Sequence, residues 1–154
     1  MQEKKTADLD ALLETMRPDQ AAEFFEENRE DMADEGKAFY YYMKNAFDAK
    51  SLKLKDIYSF AGVSESWGEK ILRMEKHTKN RDLIIRFCIA GHFSLKETNR
   101  ALKLYGMTPL YSRNKRDVCM ILAINNRSFD LAQIDDLLQA QGCERLSVEE
   151  IEPS

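Results

Sequence analysis

Glycine and proline are scarce in this chain, six and three in 154 residues. That scarcity excludes collagen-like and low-complexity chains, and it argues against a turn-rich all-β fold. No apolar run approaches the roughly 18 residues of a membrane span. The opening MQEKKTADLD also lacks the apolar stretch of a secretory signal. Cys88, Cys119 and Cys143 are odd in number, far apart and set in apolar helical patterns. They read as reduced core thiols of a cytoplasmic protein, not as a disulfide framework.

Catalytic signatures are missing too. The chain has no Gly-rich phosphate loop, no GxSxG elbow and no HExxH. Its best metal-like pair is Cys88 and His92, spaced i, i+4, but Cys88 sits in an apolar stripe and no second pair lies near. The carboxylates fall in acidic runs with no apolar pocket to tune them. Neither an enzyme nor a metal or other cofactor is expected.

What the chain does have is charge, unevenly distributed. The formal net charge is −4, which by itself argues against a nucleic-acid partner. Resolved along the sequence it is −6 over residues 1–50, +3 over 51–92, +5 over 93–127 and −6 over 128–154. A positive middle is flanked by acidic ends, an asymmetry that is itself a functional hint.

Nearly every segment carries a helical period, so the fold class is all-α. Leu9, Leu12, Leu13 and Met16 recur at helical spacing, and Pro18 opens a short second segment with Ala21, Phe24 and Phe25. EENREDMADEG follows as a solvated helix end or linker. From 38 to 47, Phe39, Tyr42, Met43 and Phe47 form a core stripe, with Tyr40 and Tyr41 pointing away. Leu54, Ile57, Tyr58 and Ala61 make two turns that end at Gly62, where a left-handed residue stops a helix. Ser64 then caps a helix through Ile71 and Met74. Asn80 or Asp82 begins an apolar helix that ends at Gly91. Ser94 with Glu97 forms a capping box for another, which stops at Gly106.

The C-terminal part repeats this design. FSLKETNRALKLYGMTPL (93–110) and FDLAQIDDLLQAQGCERL (129–146) align at an offset of 36 residues, and DLIIRFCIA and DVCMILAIN align at 35. Two tandem helical hairpins are expected. Two copies are too few for a solenoid, so the second extends the core of the first.

Short helix, Gly-Val-Ser turn and second helix is the order of a helix-turn-helix. Glycine makes the turn, Val63 and Ile71 pin the second helix, and Ser64 caps it. The stretch LKLKDIYSFAGVSESWGEKILRMEKHTKNRDLIIRFCIAGHFSLKETNRALKLYG (52–106) resembles the lambda-repressor-like, XRE-type helix-turn-helix proteins. With NRD (80–82), PLY (109–111) and RNKRD (113–117) it looks like a bacterial branch with acidic N-terminal helices and a C-terminal extension.

The resemblance implies a lambda-repressor-like bundle extended by a helical hairpin. It also implies sequence-specific binding of double-stranded DNA by a transcriptional regulator, with a homodimer on a palindromic operator. The domains expected are an acidic segment at 1–34, the core at 35–106, the extension at 107–146 and a disordered tail at 147–154.

Carried over by position, Glu65, Ser66, Trp67, Glu69 and Lys70 would read bases behind the cap at Ser64. Lys53, Lys55, Arg73, Lys76, Lys79 and Arg81 would face phosphates. Gly68 stands where the family usually packs an apolar residue, so it should loosen the helix by about 1 kcal/mol relative to alanine. The basic stretch 111–116 is a further phosphate candidate.

The alternative is a protein-interaction module of helix-turn-helix descent that does not bind DNA: an anti-repressor, an inhibitor of a nucleic-acid enzyme or a signalling adaptor. Glu65, Glu69, Trp67 and the acidic ends favour it. An acidic DNA mimic fits less well, because the acidity lies off the motif. No membrane partner is expected.

Overall fold

The computed structural model describes residues 6–28 and 37–147. Most of the expected acidic linker and nearly all of the expected tail lie outside the described residues. Among the described residues the chain is helical, with no strand. It divides into two compact units, residues 1–35 and 36–154.

In the first unit, α1 (Thr6–Thr15) is followed by a 3-10 turn (Pro18–Gln20) and α2 (Ala21–Glu27). Pro18 occupies the first position of the turn, where its missing N–H costs nothing. The Gln20 side chain reaches back to accept from the Arg17 N–H at 2.8 Å. Phe24 is buried in α2, whereas α1 buries no residue.

The second unit contains α3 (Ala38–Ala49), α4 (Leu54–Ala61), α5 (Glu65–Leu72), α6 (Arg81–Ala90), α7 (Leu95–Leu104), α8 (Lys115–Asn125) and α9 (Leu131–Ala140). Helix α6 lies at the centre. Every residue from Leu83 to Ala90 is buried, the pattern of a helix covered on all sides, and it packs on both α4 and α7. Arg86 lies within that run and is fully buried. Its guanidinium donates to the carbonyls of Ala61 at 2.8 Å and Leu146 at 3.0 Å, joining the end of α4 to the chain after α9. The expected core stripe of α3 is present, with Phe39, Met43 and Phe47 buried and Tyr42 only partly so. Cys88 and Cys119 are buried free thiols, whereas Cys143 is only half-buried.

Three successive helix pairs share one local design: a left-handed residue stops the first helix and a side chain caps the second. Gly62 (φ 73°) precedes the Ser64 cap. His92 (φ 55°) precedes Ser94, and Arg127 (φ 56°) precedes Asp130. In the second pair α6 does end at Gly91, as expected, but with φ −81°, and the left-handed residue is His92, one position on. A Cβ at Gly91 would lie 2.6 Å from ring atoms of both Phe47 and Phe93, so close packing and not φ calls for glycine there.

The repeat of α6–α7 in α8–α9 extends to individual bonds. Asn99 Oδ1 accepts from the Leu110 N–H at 2.8 Å, and Asp135 Oδ1, 36 residues on, accepts from the Leu146 N–H at 2.6 Å. The two hairpins then exchange charges. Arg81 donates to both oxygens of Asp117 at 2.9 and 3.0 Å, and Arg116 to both oxygens of Asp82 at 2.8 and 2.9 Å. Each guanidinium also holds its own hairpin's outgoing chain. Arg81 reaches the carbonyls of Thr108 and Pro109, and Arg116 those of Glu144 and Arg145.

Burial alone would raise the Asp117 pKa. The Arg81 hydrogen bonds, the Tyr111 N–H and both arginine charges outweigh burial and hold its carboxyl below the usual carboxylate range. A depressed pKa contributes stability above the ordinary carboxylate range, and this is lost as pH falls through the folded-state value. Asp117→Asn should therefore cost roughly 2–3 kcal/mol at neutral pH and flatten the acid limb of the stability profile. Urea unfolding from pH 7 down to pH 3 checks both. An acid limb identical to that of the parent chain would refute the linkage.

Candidate nucleic-acid interface

Helix α4 closes when the Val63 N–H donates to the Tyr58 carbonyl at 3.1 Å across the left-handed Gly62. Helix α5 opens when Ser64 Oγ accepts from the Trp67 N–H at 3.1 Å. Ser64 is exposed and its hydroxyl serves as the expected cap.

The faces of α5 then separate. Trp67, Gly68, Ile71 and Leu72 are buried, while Glu65, Ser66, Glu69 and Arg73 are exposed and Lys70 is half-buried.

Trp67 corrects the sequence expectation. Only 6% exposed, it belongs to the core and not to the outer face of α5. The signal was present, since Trp67 and Ile71 are spaced by four and so share one face of the helix. Gly68 is a second correction. A Cβ there would sit 2.5 Å from Cδ1 of the Tyr58 ring, so the missing side chain lets α5 close onto α4. Burial pushes the Tyr58 hydroxyl up to about 12, with Glu69 adding to the shift. That hydroxyl has no hydrogen-bond partner among the described residues.

The two glutamates of the outer face differ. Glu69 is bonded to Arg73 at 3.0 Å, one turn on, and the Arg73 guanidinium lies over the Tyr40 ring at 5.4 Å. Glu65 stands in the first turn of α5. Lys53 and Lys55 are exposed at the start of α4, and Lys76 and Lys79 are exposed in the loop after α5.

Sequence reasoning missed what holds that loop. Tyr105 Oη accepts from the Thr78 N–H at 2.9 Å, and the His77 ring stacks on Tyr105 at 4.6 Å. Tyr105 in turn packs edge-on against Phe39. No local motif announces a contact between residues 27 apart.

Arg81 does not join this set. Its guanidinium is consumed by Asp117, Thr108 and Pro109, so the expected phosphate contact is a structural one. Of the basic stretch at 111–116, Tyr111, Arg113 and Lys115 are exposed, whereas Arg116 is bound to Asp82. Outside the expected set, α7 exposes Lys96, Arg100 and Lys103. The Cys88–His92 pair offers no ligand set: Cys88 is fully buried and the His92 ring stacks on Phe129 at 4.7 Å. Among the described residues no group of three His, Cys, Asp or Glu side chains is placed to hold a metal, and no helix is long and apolar enough to cross a membrane.

Comparison of the chain with protein-family models, with curated proteins and with solved structures returned no match.

Gly68→Ala separates close packing from helix propensity. Propensity alone would stabilise the helix by about 1 kcal/mol. The clash with Tyr58 should reverse the sign and leave the protein roughly 1–2 kcal/mol less stable in chemical denaturation. Tyr58→Phe, which removes a buried hydroxyl without a partner, should be neutral or stabilising by up to about 1 kcal/mol.

Proposed function

We propose that the chain binds double-stranded DNA through α5 and acts as a transcriptional regulator of lambda-repressor-like, helix-turn-helix type. One observation carries the reading. The buried face of α5 is fully used by Trp67, Gly68, Ile71 and Leu72, leaving a polar face of Glu65, Ser66, Glu69, Lys70 and Arg73, while Lys53 and Lys55 of α4 and Lys76 and Lys79 of the following loop are exposed.

A helix of that width enters a major groove, where Lys70 can donate to a guanine edge and Ser66 can reach a base or a phosphate. Glu65 can accept from cytosine N4. Pairing with Arg73 offsets the repulsion that Glu69 would feel from a polyanion. Lys53, Lys55, Lys76 and Lys79 suit phosphates, which ask for charge more than for fixed geometry.

The rival reading, a protein-interaction module, loses one of its supports. Trp67 cannot anchor a partner from within the core. The acidic first unit still speaks for a protein contact, one compatible with DNA binding by α5.

Binding to a random duplex in low salt should be measurable by fluorescence anisotropy, with log K falling linearly against log salt concentration. Replacing Lys76 and Lys79 together by alanine should reduce that slope by about 2, at ~0.9 per phosphate contact, for every sequence alike. Lys70→Ala should instead flatten the base preference recovered from a randomised duplex pool. A folded protein that binds no duplex at low salt would overturn the reading.

A further inference from the structure

The first unit exposes apolar surface out of proportion to its size. Leu12, Leu13 and Phe25 are 40%, 50% and 55% exposed, three of the six exposed large hydrophobic side chains among the described residues. Leu13, Met16, Pro18, Ala21, Phe24 and Phe25, with Arg17 and Gln20, wall a groove of about 420 Å³. Exposed apolar surface gathered in one place marks an interaction site more often than single scattered residues do.

The net charge of the segment that carries the groove narrows the occupant, and Arg17, the one charged side chain in the groove wall, is paired with Asp19 at 3.2 Å. Residues 6–28 carry seven carboxylates against one cation, Arg17. Asp10 and Glu14 share α1 with Leu13, and Glu23 shares α2 with Phe25. A second copy of the same acidic helix pair would bring like charges together, and an anionic lipid surface would be repelled. A helix with an apolar stripe and basic flanks meets both the groove and its carboxylates.

We propose that this groove docks a basic amphipathic helix of a partner protein. Apolar residues at i, i+3, i+4 and i+7 would enter the groove, and the flanking Lys and Arg would face Asp10, Glu14 and Glu23. The site is independent of α5, so it stands whether or not the chain binds DNA.

The test uses the full chain and three synthetic helical peptides of about 18 residues: one of Leu and Lys, one of Leu and Glu, and one of Lys and Ser with the same charge as the first. Titration calorimetry should show binding of the Leu/Lys peptide alone. The double substitution Leu13→Asp with Phe25→Ser should weaken that binding by roughly tenfold or more. Both residues are exposed, so the helix content and unfolding midpoint of the variant should match the parent.

Equal binding of the Lys/Ser peptide would mean charge attraction alone and overturn the proposal. So would an unchanged affinity in the double variant, or no binding of the Leu/Lys peptide. A scattering mass twice that of one chain, halved by the double substitution, would assign the groove to a second copy. Sedimentation with phosphatidylserine vesicles, lost in the same variant, would assign it to a membrane.

Discussion

Each of the two tandem hairpins supplies an arginine that grips the aspartate of the other, and the same guanidinium holds its own hairpin's outgoing chain. Arg81 and Arg116 thus do the same two jobs 35 residues apart. The geometry is bidentate and partly buried. Asp117 is 7% exposed in its side chain, and the other three groups are between 24% and 29%. Removing one member leaves its partner desolvated and uncompensated, which makes such pairs costly to break. Much depends on the exchange. The segment that Arg116 holds at residues 144–145 leads directly to Leu146, whose carbonyl receives the buried Arg86. Arg86 also bonds Ala61, at the end of the helix that sets α5 in place. The position of α5 therefore rests in part on an ion pair between residues 82 and 116 and on backbone carbonyls at 144–146, far from α5 in the sequence.

Local rules made most of the fold legible. The caps at Ser64 and Ser94 and the stop at Gly62 are written in short patterns, because each is satisfied within one or two helical turns, and of the two caps open to α6, Asn80 and Asp82, the structure uses Asn80. Two positions on α5 were misread for different reasons. Trp67 was placed outward by analogy with base-reading positions, although its spacing from Ile71 placed it inward. Gly68 was read through propensity, and no one-dimensional pattern shows that Tyr58 lies against its Cα. Arg81 was misread because sequence reports a charge and not its partner. A guanidinium aimed at phosphate and one aimed at Asp117 look alike until the hairpins are packed.

The same point changes the meaning of the positive middle. Part of its charge is spent inside the protein: Arg81 and Arg116 on aspartates, Arg86 in the core, Arg73 on Glu69. The exposed cations at the start of α4 and in the loop after α5, Lys53, Lys55, Lys76 and Lys79, are all lysines. Arginine is the side chain that reads guanine through two fixed bonds, whereas lysine is a mobile point charge on a flexible stem. A DNA interface of the kind proposed would have more to offer a phosphate backbone than a base edge. Any sequence preference would then come from few groups, chiefly Ser66 and Glu65 with Lys70.

The turn before α5 cannot by itself be what distinguishes α5, because the turns before α7 and α9 repeat its left-handed stop and side-chain cap. What differs is the chemistry on the outer faces of the three second helices. That of α7 is basic through Lys96, Arg100 and Lys103, that of α9 carries Asp136 with Gln133 and Gln139, and that of α5 mixes both signs with a serine. A uniformly basic face attracts any polyanion and an acidic one repels it. A mixed face penalises a badly fitted duplex as well as rewarding a good one, because Glu65 would have to find a donor or remain unpaired against phosphate, whereas Glu69 keeps Arg73. Glu65, which argues against DNA on α5 when charge alone is counted, is thus the group by which α5, and not the more basic α7, would discriminate among sequences in the proposed mode.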